Sequence, residues 1–403
     1  MLEISKYLSV SERDYKALAG SDWPSYDNFI QHYNVPDFVY QEIDEAISKV
    51  EKFDNKAFCV LPFFGIEYPL RKECCLIDYS KDNIDQVKQK MLNGTRSEAC
   101  YKCWALEDKG IISDRIIKNN HMDVILDQDL KVIEHECSVG NYGLLHYKID
   151  TSNTCNAACV TCDGASSSLW ISLEKKQGLA TNKTWQLSQD EIYIDYRKAR
   201  SINFRGGEPL LSNTNFEILK NLIENKNTDC FISFTTNGSM KLNQEQIDIL
   251  SNFKKVNFCL SIDGIDKKFE YLRYPLKWNT LLENIEQYRT NNIELSASFT
   301  LSNLNIMYYS ETVKWFNTNK IKYLNNPVYS PNYFSPTSLP KKIKEKIIDS
   351  NNSIFISTYD ENDDLLFDEF LSKIKEQDLL KNIEMQDYVP EFYALINEYV
   401  NRR

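Results

Sequence analysis

Three cysteines stand at CxxxCxxC spacing in Cys155-Asn156-Ala157-Ala158-Cys159-Val160-Thr161-Cys162. A closed structural metal site takes four protein ligands, whereas a cluster held by three thiolates leaves one metal atom open to a substrate or cofactor. A second group, Cys59, Cys74, Cys75, Cys100 and Cys103, comes earlier in the chain. Cys100 and Cys103 form a CxxC pair, and with two distant cysteine positions they suffice for one tetrahedral four-thiolate centre. On spacing alone that centre holds either zinc or an iron-sulfur cluster. In a reducing compartment, clustered thiols of this kind read first as metal ligands or redox catalysts rather than as a disulfide framework.

The bulk properties are those of a globular protein: 403 residues, 42% of them hydrophobic, are enough for one large core and a smaller second one. The net charge of -11 works against nucleic-acid binding, whose affinity is dominated by phosphate neutralisation. No apolar run reaches transmembrane length, and Met1-Leu2-Glu3-Ile4-Ser5-Lys6 lacks the basic-then-apolar layout of a signal peptide. The expectation is a soluble, cytoplasmic protein without a membrane partner.

The elements that must position the cysteines follow in order. Residues 1–56 read as a polar and aromatic extension with a helix over Pro36–Val50. A cysteine-rich domain is expected over 57–140, with a helix presenting Ile84, Val87 and Met91 and ending at Asn93-Gly94. Over 141–335, strand-like runs alternate with helix-length segments: Leu145–Asp150, Ser201–Arg205, Phe231–Thr236, Asn257–Ile262, Glu294–Leu301 and a sixth near Ile321–Val328. Ser212 is read as opening a helix with Phe216, Leu219, Leu222 and Ile223 on one face, and another helix carries Ile247, Leu250 and Phe253. Such alternation calls for an α/β fold with a parallel sheet, open or rolled into a barrel, and active residues at the carboxyl ends of the strands. The remainder, 336–403, reads as helical, with Phe367, Phe370, Leu371 and Ile374 in one stripe.

Strand parity adds a second constraint. Cys259, Ser261 and Asp263 share one face of their run and oppose Phe258, Leu260 and Ile262. Ser233, Thr235 and Asn237 oppose Ile232 and Phe234 in the same way, and Ser296, Ser298 and Thr300 oppose Ala297, Phe299 and Leu301. A sheet buried on both faces reads as continuous Val, Ile and Leu, so a polar second face points to an inner surface that holds a polar ligand. Cys259 then points inward, as a candidate donor of a hydrogen atom to a substrate radical; a small buried hydrophobe is the plainer reading.

Cys155, Cys159 and Cys162, on the loop after the first predicted strand, resemble the cluster motif of the radical S-adenosylmethionine superfamily. Gly206-Gly207-Glu208-Pro209 after the second strand, Thr235-Thr236-Asn237-Gly238 after the third, and Ser261-Ile262-Asp263-Gly264 with Tyr271-Leu272-Arg273-Tyr274-Pro275 resemble its cofactor-side segments. The resemblance implies a partial (β/α)6 barrel and a [4Fe-4S] cluster whose fourth iron chelates S-adenosylmethionine. It also implies reductive cleavage to a 5'-deoxyadenosyl radical that takes hydrogen from a substrate carbon. Gly206, Gly207, Glu208 and Pro209 are then expected at the methionine amino group, Thr236 and Asn237 at the ribose, and Ser261, Asp263 and Arg273 at the ribose or carboxylate. Val160 stands where this branch often has a basic residue, and Thr161 where it has a bulkier one.

The amino-terminal cysteines resemble a twitch domain, a short relative of the SPASM domain, placed before the barrel. That likeness implies an auxiliary [4Fe-4S] cluster on Cys59, Cys74 or Cys75, Cys100 and Cys103, with Cys74 the preferred member of its pair. It further implies an external electron donor such as flavodoxin or ferredoxin. The substrate class it favours is a peptide or amino-acid-like molecule undergoing cross-linking, epimerisation or oxidation; a small metabolite or sugar is the alternative. A non-enzymatic zinc protein would leave Gly206-Gly207-Glu208-Pro209 and the polar strand faces without a purpose.

Overall fold

The computed structural model describes residues 55–74, 76–108, 113, 115–116, 118–119, 130–328, 331–348 and 363–402. The expected helix over 36–50, nearly all of the 1–56 extension and Cys75 lie outside the described residues. The rest divides into two compact units, one taking the described residues up to Lys148 with Ile194–Ile202, the other Ile149–Tyr193 and Asn203 onward.

In the first unit a helical turn, Leu61–Phe64, leads into β1 (Gly65–Tyr68), followed by α1 (Ile84–Leu92), α2 (Tyr101–Glu107) and α3 (Leu130–Ser138). The starts of β2 (His146–Asp150) and β3 (Ser201–Arg205) complete it, and β1, β2 and β3 are neighbours in that order. α1 begins with a capping box, in which Asn83 accepts from the Gln86 amide and Gln86 returns a bond to the Asn83 amide. It buries Val87 and Met91, as its periodicity predicts, and stops before Gly94, whose φ of 69° lies in the left-handed region. Phe58, Phe63, Val87, Met91, Ala99, Trp104 and Ile133 form the core, with Cys59, Cys100 and Cys137 packed into it.

The second unit takes up the chain from the end of β2 through α4 (Ser168–Lys176) and the end of β3. It continues with α5 (Asn213–Glu224), β4 (Phe231–Thr236), α6 (Gln244–Leu250), β5 (Val256–Ser261), α7 (Asp266–Leu272) and α8 (Trp278–Thr290). Then come β6 (Glu294–Leu301), α9 (Tyr309–Thr318), β7 (Lys322–Pro327), α10 (Lys341–Ile348), α11 (Asp363–Lys381) and α12 (Pro390–Val400). β2 to β7 follow one another across the sheet, and β4 to β7 pair in parallel, with Thr235 beside Cys259, Cys259 beside Ser296 and Ser296 beside Lys322. The fold is therefore α/β with a parallel sheet and a helical carboxyl-terminal part. Parallel neighbours need a crossover, and the intervening helices supply it.

The apolar strand face carries a ladder of rings: Phe204 to Phe234 at 4.9 Å, Phe234 to Phe258 at 5.4 Å, and Phe258 to Tyr288 of α8 at 4.9 Å. All four side chains are buried, and each contributes about 2–3 kcal/mol by leaving water. The strand and helix pattern follows the sequence expectation closely, with local differences. β1 was not expected, and α5 turns Ile218 rather than Ile223 inward, because Ile218 stands one helical turn before Leu222. Phe253 lies past the end of α6 but is still buried. Among the described residues no helix is long and apolar enough to cross a membrane.

Candidate functional site

β2 ends at Asp150, and the chain continues through buried Thr151, Ser152 and Asn153 into the cysteine loop. Two backbone ladders hold that loop. On one side Gly207 N donates to Ser152 O at 2.8 Å and Glu208 N to Thr154 O at 2.7 Å. On the other, Ala158 N donates to Tyr274 O at 2.6 Å and Val160 N to Leu272 O at 2.9 Å. The first ladder explains the glycines. A Cβ on Gly207 would stand 2.2 Å from Thr154 O, and one on Gly206, whose φ is 104°, would stand 2.5 Å from Ser152 O. Only glycine permits this backbone approach.

The second ladder places Arg273, lying between its two accepting residues, at the loop. Its Nη1 lies 3.6 Å from Cys159 Sγ, and its Nε stands 2.6 Å from Asp263 Oδ2. The Nε contact is an ion pair rather than an aligned hydrogen bond, since Nε has no hydrogen-bond acceptor. Burial opposes the guanidinium's charge, but the Asp263 carboxylate and the Cys159 sulfur outweigh it and raise the Arg273 pKa further. Asp263 also accepts from Thr300 N at 3.0 Å, so it braces Arg273 against β6.

Cys155, Cys159 and Cys162 line one cavity of about 250 Å³ together with Gly206, Gly207, Asn237, Ser261 and Arg273. Asp150, Arg205, Thr235, Ser166 and Ser167 complete most of its wall. A hydrogen bond between Cys159 and Cys162 lowers the Cys159 pKa, which Arg273 lowers further, and together with burial raises that of Cys162. Burial pushes Cys155 up to about 12, so this thiol keeps its proton at neutral pH in the metal-free protein. Three cysteines lining one cavity, with polar residues among its other walls, fit a [4Fe-4S] cluster that keeps one iron for a small polar cofactor.

Glu208, Pro209, Thr236 and Asp263 are not among the cavity walls; they stand behind them. Glu208 is buried, with Oε1 accepting from Thr236 Oγ1 at 2.7 Å and from Leu210 N at 3.1 Å, and Oε2 from Asn237 N at 2.8 Å. Asn237 in turn donates to Asn156 Oδ1 at 2.9 Å, which fixes the residue after Cys155. Cys259 is half-buried in β5, where residues alternate strictly between buried and half-buried, and burial raises its pKa. It is not one of the walls of this cavity.

Arg205 and Asp150 are not among the site residues expected from the sequence. They pair across β3 and β2, Nε to Oδ1 at 3.1 Å, inside the cavity. Arg205 shares parity with Asn203, and that period-2 signal was available in the sequence.

In the first unit, Cys59, Cys74, Cys100 and Cys103 line one narrow cavity with Leu61, Ile77, Met91 and Arg115. Burial pushes Cys100 up to about 12, with a further push from Cys103, and also raises Cys59. Arg115 is held there by Glu107, whose two carboxylate oxygens it meets at 2.9 and 2.7 Å, and by Phe58 O. Cys137 is buried in α3 within the same core but is not a wall of the cavity. Among the described residues no three Cys, His, Asp or Glu side chains meet as they would around a single metal ion.

Residues 149–316 match the radical SAM superfamily. An uncharacterized protein of Methanocaldococcus jannaschii is 24% identical over 213 residues, 50% of this chain and 69% of that one. Among solved structures, native anSMEcpe with bound AdoMet is 19% identical with a TM-score of 0.39, covering 51% of this chain and 60% of its own. SuiB of Streptococcus suis, bound to the precursor peptide SuiA, is 16% identical with a TM-score of 0.35, covering 62% of this chain and 50% of its own. The chain thus spans 60% and 50% of the lengths of these two solved proteins.

Proposed function

We propose that the protein is a radical S-adenosylmethionine enzyme acting on a peptide or amino-acid-like substrate. The observation that carries the reading is the single cavity on which Cys155, Cys159 and Cys162 converge with Gly206, Gly207, Asn237, Ser261 and Arg273. Cys155, Cys159 and Cys162 would hold a [4Fe-4S] cluster there, and it would supply the electron for reductive cleavage of S-adenosylmethionine and so the radical chemistry that takes hydrogen from the substrate.

The chain's own residues then have distinct tasks. Gly206 and Gly207 let the cysteine loop and the turn after β3 lie backbone to backbone, which leaves the cavity floor free of side chains. Arg273 faces Cys159 and offsets thiolate charge, and Asp263 holds it in place. Ser261 and Asn237 offer hydrogen bonds to the cofactor's ribose side, and Glu208 fixes Asn237 from behind. Cys59, Cys74, Cys100 and Cys103 hold an auxiliary [4Fe-4S] cluster, and a flavodoxin or ferredoxin delivers the electron.

The peptide class follows from the likeness of the amino-terminal cysteines to twitch domains. The test is anaerobic reconstitution of the full chain, followed by reduction with and without S-adenosylmethionine. The expected result is a [4Fe-4S] electron paramagnetic resonance signal that changes when S-adenosylmethionine is added. Colourless protein holding zinc would overturn the reading.

A further inference from the structure

α11 lies beyond the matched family region, and its last turns close on the cysteine loop. Gln377 Nε2 donates to Val160 O at 3.0 Å, and Leu380 packs on the group formed by Ala158, Trp170 and Leu173, against which Cys162 also lies. Lys381 is only 3% exposed. Its Nζ donates to Gln377 Oε1 at 3.1 Å and stands 4.6 Å from the centre of the Trp170 ring, whose own N–H donates to Cys159 O at 2.9 Å.

A lysine buried this deeply ordinarily has a carboxylate partner, because an unpaired buried charge is costly. Here its recorded partners are an amide oxygen and an indole face. Asp378, one helical turn earlier, has both oxygens engaged, Oδ1 by Tyr271 OH at 2.9 Å and Oδ2 by Met385 N at 3.0 Å. The other negative groups that act on Lys381 are the sulfurs of Cys159 and Cys162. Burial still weighs against the charge, and these sulfurs together with Asp378 offset it only in part.

We infer that Lys381 supplies a fixed positive charge to the three-thiolate centre, making the cluster bound there easier to reduce; this rests on the cluster reading above. Reduction adds negative charge to a cluster, and a cation held nearby in a low-dielectric interior stabilises the reduced form more than the oxidised one. Gln377 sets the position of the ammonium, while the Trp170 face holds it without neutralising it. A helix outside the matched region thereby tunes the electron-accepting step.

The test uses the full chain, reconstituted anaerobically, as the parent and as Lys381→Met and Lys381→Arg. Iron is counted, and the midpoint is measured for the cluster signal that responds to S-adenosylmethionine. Lys381→Met is expected to shift that midpoint to a more negative potential, with Lys381→Arg staying near the parent. Loss of iron in Lys381→Met with retention in Lys381→Arg also supports a role for the charge. The inference is overturned if both variants keep the parent midpoint, or if both shift or lose iron alike, which is the mark of packing alone. A parent without any responsive signal overturns the cluster reading itself, and is seen before a variant is made.

Discussion

Glu208 and Asn237 are locked together across the ends of β3 and β4, with the buried Glu208 Oε2 accepting the Asn237 amide at 2.8 Å. Burial pushes the Glu208 pKa from its usual 4.5 up to about 7; the bonds from Thr236, Asn237 and Leu210 oppose the rise, and Cys159 adds to it. A carboxyl whose pKa is higher in the folded state stabilises the fold fully below its unfolded pKa and loses that contribution as pH rises through the folded one. The metal-free protein should therefore lose about 3 kcal/mol from this group between about pH 4.5 and 7. Urea unfolding across that range checks it, and Glu208→Gln should flatten the slope. An equal slope in both proteins would contradict the assignment.

Gly207 meets backbone, not a movable side chain, at 2.2 Å from its would-be Cβ. Gly207→Ala must push Thr154 and the loop that carries Cys155. The expected cost is about 2–3 kcal/mol of stability, as for other overpacked sites, with loss of most iron at the three-cysteine centre. Iron analysis of the reconstituted variant measures it; parental iron with parental stability would show that the loop yields freely.

The four thiols of the first unit should account for half of the iron. Two [4Fe-4S] clusters require about eight irons per chain, so the Cys100→Ala, Cys103→Ala double variant should retain about four. It should keep the signal that responds to S-adenosylmethionine. A full complement of iron in this variant would contradict an auxiliary cluster on these cysteines.

Cys259 lies between Thr235 and Ser296 in the register of the sheet, and burial holds its proton at neutral pH, the form in which a thiol gives up a hydrogen atom. If it quenches a substrate radical, Cys259→Ala should leave 5'-deoxyadenosine formation near the parental rate while product yield falls at least tenfold or the product changes. Unchanged turnover and product would leave Cys259 as a small packed side chain.

Local spacing made much of this legible. CxxxCxxC and Gly-Gly-Glu-Pro are short and contiguous, so each can be read as a unit even though the residues they meet lie far along the chain. The period of two in β4, β5 and β6 exposed the polar strand face, and the observed burial in β5 alternates accordingly. What escaped was set by distance along the chain. Asp150 and Arg205 are separated by 55 positions, and Val160 and Gln377 by 217, so strand parity can mark a face but cannot name the partner. Lys381 reads in sequence as a solvated lysine at a helix end, and only the packing of α11 on α4 buries it. Glu208 shows the same limit. Its motif likeness puts it at the cofactor, and the bonds that hold it, to Thr236, Asn237 and Leu210, could not be read from that motif.

The most direct test of the central claim is a count of 5'-deoxyadenosine after reduction of the reconstituted protein with S-adenosylmethionine. The account predicts its formation by the parent and its loss, by at least a hundredfold, in the Cys155→Ala, Cys159→Ala, Cys162→Ala triple variant. Equal yields from the two proteins, or none from an iron-loaded parent, would contradict it.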